Sequence, residues 1–255
     1  MMTLFSILSP MEWALAFGVL FFAGLIKGMV GFAMPMISIA GLSMVLPPDW
    51  ALAGLIIPTL VTNGMQAMGQ GAQAAMTSVR RFRVFLIVGL VFLLISSQLV
   101  TRVDPETFLL MIAVPVALFA VMQLVGLRFT LSAPSVRIEA ATGAVAGFVG
   151  GMAGVWGPPT VAYLTALNTP KADQMRVQGV IYGLGAVALV GAHLTSGILR
   201  SETLIFSLAL VAPGVAGMWT GGQLQDRIDQ AAFRRITLIV LLVAALNLLR
   251  RALMG

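Results

Sequence analysis

Residues 23–35 read AGLIKGMVGFAMP and residues 146–158 read AGFVGGMAGVWGP; the two stretches align without a gap at an offset of 123 residues. Ala23 matches Ala146, Gly24 matches Gly147, Gly28 matches Gly151, Met29 matches Met152, Gly31 matches Gly154 and Pro35 matches Pro158. Further on, Pro47 matches Pro170. A glycine-rich composition produces two or three such coincidences, but not two prolines held in register as well. The offset is close to half the 255-residue chain, as expected of a duplicated unit. Residues 1–125 and 139–255 are the expected first and second copies.

The solvent for which this chain is built follows from composition. Hydrophobic residues make up 59% of it and charged residues 9%, with a mean hydropathy of +1.01. A soluble globular chain carries about 25% charge, so this one cannot cover a water-facing surface. Apolar runs recur from end to end, and about 20 such residues span a bilayer as a helix. Lipid offers backbone groups no partners, so spanning elements are helices or closed barrels. The runs lack the alternation of barrel strands. The expected fold is therefore all-α and polytopic.

The apolar segments fall at roughly 12–30, 33–46, 51–68, 84–100, 107–125, 140–156, 159–167, 177–196, 203–222 and 233–249. Each copy holds five, an odd number, so alternate crossing puts the copies in opposite orientations, as inverted repeats. Orientation comes from the bias of Lys and Arg toward cytoplasmic loops. With the Arg80–Arg83 loop inside, the inner loops hold Arg80, Arg81, Arg83, Arg128, Arg137, Lys171, Arg176, Arg227, Arg234 and Arg235. The outer side holds Arg102, Arg200, Arg250 and Arg251, the last two against the trend. Both termini are then expected outside a bacterial-type inner membrane. No basic region precedes the first apolar run, so that run is not read as a cleaved signal peptide.

Several function classes drop out. The chain has no cysteine and one histidine, His193, which removes disulfides and argues against a metal site. The net charge of +6 fits inner loops of a membrane protein, and no basic stripe interleaved with aromatics suggests nucleic acid. No HExxH, GxSxG or pair of intramembrane carboxylates equips an enzyme; the acidic residues fall in loops or at segment edges. No cofactor is expected. The partners expected are the bilayer and a small anionic substrate, and a homo-oligomer is compatible with the sequence.

The chemistry concentrates at the glycine–proline breaks. Proline suits the first turn of a helix, so Pro35 and the pair Pro158-Pro159 should each begin a short helix after Gly31 and Gly157. Such starts carry free N–H groups and a partial positive charge and suit an oxyanion. Inversion would bring the two starts together, with Gly154 in the second break. The competing role for these glycines is close helix packing, since Gly24 and Gly28, Gly143 and Gly147, Gly147 and Gly151, Gly150 and Gly154, and Gly217 and Gly221 have small-xxx-small spacing. Lys27 is the one ionisable residue well inside an apolar segment, and intramembrane charges are usually functional; snorkelling to the interface is the alternative. Asn63 and Gln66, with Thr59 and Thr62 nearby, and Thr160, Tyr163, Gln178 and Tyr182 are candidate donors to an anion, or interhelical glue.

At these residues the chain resembles the TauE/SafE family of membrane permeases, the sulfite exporter family. The matching elements are Gly24-x-x-x-Gly28-x-x-Gly31-x-x-x-Pro35 and Gly147-x-x-Gly150-Gly151-x-x-Gly154-x-x-Gly157-Pro158-Pro159. The stretch from Gly157 to Leu164 and that from Pro58 to Gln66 look like further family segments. The resemblance implies export of sulfite or a small organosulfonate, driven by existing gradients. The sequence departs from the family's first glycine cluster where Phe32-Ala33-Met34 stands. An exporter of another small metabolite such as a carboxylate, and a non-transporting membrane partner subunit, are the alternatives.

Overall fold

A computed structural model describes residues 8–99, 102, 104–127, 131, 133–153, 156–167, 169–224, 227 and 230–254. The described residues form helices joined by short turns. These are α1 (Pro10–Val30), α2 (Met34–Leu42), α3 (Pro48–Met68), α4 (Ala72–Arg81), α5 (Arg83–Ser97) and α6 (Pro105–Leu124) in the first half. The second half holds α7 (Val136–Ala153), α8 (Gly157–Ala166), α9 (Lys171–Thr195), α10 (Ser201–Ala209), α11 (Val211–Leu224) and α12 (Gln230–Met254). Four stretches, Pro10–Val30, Pro48–Met68, Asp173–Thr195 and Ser201–Leu224, are long and apolar enough to cross a membrane. The chain is an all-α polytopic membrane protein.

Among the described residues ten expected segments become twelve helices, for two local reasons. The stretch expected as one segment over 203–222 divides at Leu210 into α10 and α11. Pro213 lacks an N–H and its ring crowds the carbonyl four residues back, at Ala209. The other addition is α4, a polar helix with only Ser78 buried, which a search for apolar runs passes over. It is stabilised at its end by Arg80 and Arg81 in the last turn, where cations face the negative end of the helix dipole.

The breaks form where glycine and proline place them. Gly31 ends α1 in the left-handed region, at φ 83°, and returns its N–H to the Lys27 carbonyl. α2 follows with Pro35 in its first turn. At nine and ten residues, α2 and α8 are each about 14–15 Å long, half of a hydrocarbon core about 30 Å thick. α2 is buried along almost its whole length. Each of the two helices is therefore too short to cross such a core by itself.

Packing is organised by glycine. α1 lies along α11, and α5 along α7. A Cβ on Gly24 would meet the Gly214 and Met218 backbone, and one on Gly28 the Met218 and Gly222 backbone. On the other side Gly147 faces the Gly89 backbone and Gly151 faces Leu93 and Ser97. Both pairs run parallel, since Phe21 meets Gly217 and Leu25 meets Gly221, while Phe85 meets Gly143 and Leu93 meets Gly151. α3 and α9 pack antiparallel, with Asn63 against Gly183 and Gln66 against Gly179. The packing role expected for Gly24, Gly28, Gly143, Gly147, Gly151, Gly217 and Gly221 is thus the one these contacts show.

Ion pairs tie each end of the bundle separately. Arg81 pairs with Glu139 at 3.4 Å and Arg176 with Asp173 at 3.0 Å. At the other end Arg200 pairs with Asp49 at 3.4 Å and Glu202 at 3.2 Å. Two of these pairs reach across the fold, Arg81 to Glu139 and Arg200 to Asp49, while Arg176–Asp173 and Arg200–Glu202 are local.

Candidate functional site

The centre of the molecule is built on the end of α1. Lys27 lies one turn before the Gly31 break and is 1% exposed. Its Nζ donates to Asn63 Oδ1 on α3, and no carboxylate pairs with it among the described residues. It does not snorkel; its head group is held in the interior. Pro58, one turn before Thr62 and Asn63, lies inside α3, and Thr62 Oγ1 donates to the Pro58 carbonyl at 2.7 Å.

Gln66 staples the break itself. Its Nε2 donates to the Gly31 carbonyl and to the Met175 carbonyl, each at 2.9 Å, linking α1 and α3 to α9. Gln178 borders the same point, its Oε1 within 3.0 Å of where a Gly31 Cβ would stand. Around this cluster Thr59 Oγ1, Asn63 Nδ2, Gln66 Oε1 and Gln178 Oε1 are buried and make no protein hydrogen bond. Buried polar atoms are nearly always satisfied, so an unspent set beside a buried cation is unusual.

The two helix starts do approach each other. A Cβ on Gly157, the first residue of α8, would lie 3.5 Å from the Phe32 ring and from Met36 Sδ, at the start of α2. Pro158 and Pro159 have no N–H, and the Thr160 N–H reaches the Trp156 carbonyl at 3.4 Å. In α2, Pro35 has none and Ile37 donates to the Ala33 carbonyl at 2.9 Å.

The second half fills the matching space with a ring. Gly150, the counterpart of Lys27, lies against the Trp156 indole, which also covers Gly185 and stacks on Tyr182 with centroids 6.4 Å apart. Tyr182 reaches the Gly157 carbonyl at 3.5 Å, and Thr160 Oγ1 bonds the Trp156 carbonyl at 2.8 Å. Gly154 lies outside the described residues.

Tyr163 is engaged elsewhere. Its hydroxyl lies 3.4 Å from Glu139 Oε2, and its ring packs near Phe82 and Phe85. Glu139 is the acidic residue that the sequence reading placed at a segment edge; it is 4% exposed. It also accepts the Phe85 N–H at 3.2 Å, in the first turn of α5. The sequence signal was indirect: Phe82 at the α5 N-cap offers no side-chain acceptor, so a distant residue must supply one. His193 is buried, with Nδ1 3.0 Å from Ser196 Oγ.

Compared with known proteins, the chain matches over residues 16–248 a family model described as "Sulfite exporter TauE/SafE". No curated protein and no solved structure matches it.

Proposed function

Because the chain belongs to the sulfite exporter TauE/SafE family of membrane transporters, we propose that it is a secondary transporter of a small anion, sulfite or a small organosulfonate, moving it outward across an inner membrane. The observation that carries this reading is Lys27, a fully buried cation beside a helix break, bonded to a neutral amide. Burying an ion away from water is unfavourable unless it is compensated, and an anion between Lys27 and the unspent donors Thr59 Oγ1 and Asn63 Nδ2 would compensate it. Thr160, Gly157 and the start of α2 would complete the site from the other side, with Tyr163 outside it.

The two halves are proposed as inverted repeats. The antiparallel packing of α3 on α9, which begin after the matching Pro47 and Pro170, supports this. So do the paired parallel contacts of α1 with α11 and α5 with α7. Half-spans meeting at the centre of such repeats are the arrangement used by alternating-access transporters. The inner-loop assignment of Arg81 and Arg176 places the Glu139 end in the cytoplasm and both termini outside.

The test is flux in proteoliposomes of sulfite, a sulfonate, a carboxylate and chloride, with and without a pH gradient. Saturable sulfite or sulfonate flux that Lys27→Ala weakens is expected. Flux of the carboxylate alone would overturn the sulfur assignment. If folded protein moves none of the four, the transport reading fails in favour of a partner subunit.

A further inference from the structure

A second feature lies to one side of the Lys27 cluster. A cavity of about 470 Å³ is cut between α5, α7 and α9. Its walls are apolar, and Ile87 (63% exposed), Leu90, Leu184 and Val187 among them are exposed. In a membrane protein such residues face lipid, so the cavity is a groove open sideways to the bilayer. Its floor is Trp156, 3% exposed. Its one charged lining residue is Arg83, the first residue of α5. Arg83 is exposed and has no ion-pair partner among the described residues.

The dimensions point to an occupant. The groove follows α5 from Arg83 to Leu93, about 15 Å at 1.5 Å per residue. That is the depth of one leaflet, half of a core about 30 Å thick. Arg83 then stands at headgroup level, and the apolar walls run to the bilayer midplane. We propose that this groove holds an acyl chain of an anionic phospholipid from the leaflet on the Arg80–Arg83 side, with its phosphate against Arg83. A guanidinium matches phosphate oxygens bidentately, and a basic residue beside the membrane selects anionic lipid. A second copy of this chain, the competing occupant, would have to bring an acidic group to Arg83. The chain end reaches Trp156, whose indole packs on Gly150 and Gly185 beside the start of α8. Lipid in the groove therefore supports the second break. The proposal does not depend on which substrate is carried.

Trp156 is the reporter. The other tryptophans, Trp13, Trp50 and Trp219, are replaced by Phe, and the protein is reconstituted in phosphatidylcholine vesicles doped with phosphatidylglycerol. Bromine is placed on the acyl chains of one lipid or the other. At equal mole fraction, brominated phosphatidylglycerol should quench Trp156 several-fold more than brominated phosphatidylcholine. Arg83→Gln should remove that difference, and Ala188→Phe, which fills the groove, should reduce quenching by both. Equal quenching by the two lipids in the unmodified groove would overturn the proposal. So would no quenching by either, the result a second copy seated there would give together with a dimer mass. If the triple replacement does not fold, native mass spectrometry of the wild-type chain serves: it should retain phosphatidylglycerol that Arg83→Gln loses, and equal retention would overturn the proposal.

Discussion

Lys27 donates from Nζ to the side-chain carbonyl of Asn63, 36 residues along the chain, so a positive charge closed off from solvent is met by a neutral amide. A neutral partner compensates a buried charge only partly.

Replacing Lys27 by Met keeps most of the volume and removes the charge. Its Tm in detergent should be equal to or above wild type. Anion flux should fall about tenfold or more, from the roughly 1.5–3 kcal/mol that a hydrogen bond to a charged group contributes. A lowered Tm with unchanged flux would make Lys27 a structural residue only.

Asn63→Leu should behave in the opposite sense. It strands the ammonium, and the expected loss is about 1–3 kcal/mol of stability. The double variant Lys27→Met with Asn63→Leu should recover most of it, because both halves of the contact are then apolar. Additive effects in chemical unfolding would show that the two side chains are not coupled.

Ala33 is the one non-glycine residue with positive φ among those described, at 78°. A Cβ in the left-handed region costs roughly 1–2 kcal/mol, so Ala33→Gly should raise stability by about 1 kcal/mol. Gly31→Ala should lower it by at least as much, since its Cβ would also run into Met175 and Gln178. Thermal melts of the two variants moving in the same direction would contradict this account of the break.

The glycines separate by what they touch. Gly147→Ala would drive a Cβ into the Gly89 backbone and part α5 from α7, whereas Gly64 meets nothing within 4 Å. Gly64→Ala should be neutral or stabilising by about 0.5–1 kcal/mol through helix propensity. Gly147→Ala should lower the melting temperature and broaden the size-exclusion peak. A sharp, wild-type profile for Gly147→Ala would rule out backbone contact as the reason for that glycine.

Glu139 joins α7 to the first turn of α5, to Arg81 and to Tyr163 on α8. Glu139→Ala should cost about 1–3 kcal/mol, and Tyr163→Phe about 0.5–1.5 kcal/mol, the size of a single hydrogen bond. Flux per folded Tyr163→Phe molecule should keep its substrate KM. A raised KM at unchanged Tm would instead return Tyr163 to the substrate site.

What the residues alone determined is everything that depends on near neighbours or on solvent. An apolar chain with 9% charge whose runs lack the alternation of barrel strands has to be helical in a bilayer, because only helices or closed barrels satisfy its backbone there. Gly31, Pro35 and Gly157 mark breaks because their effects on φ and on N–H bonding are local. The proposed twofold unit rests on matched positions that lie in register. α4 was not, because a polar helix at the surface leaves no apolar run.

Tertiary structure decided which partner each interior group meets. Gln66 reaches Met175 across 109 positions, and Arg81 meets Glu139 across 58. Nothing in the local sequence said that Glu139 would be buried, that Tyr163 would turn toward it, or that Trp156 would occupy the space opened by Gly150. Such pairings are set by how α3, α5, α7 and α9 pack, and packing depends on the shapes of surfaces far apart in the chain. Burial then decides whether a lysine is a solvated end or, as Lys27 is here, a charge held in the interior.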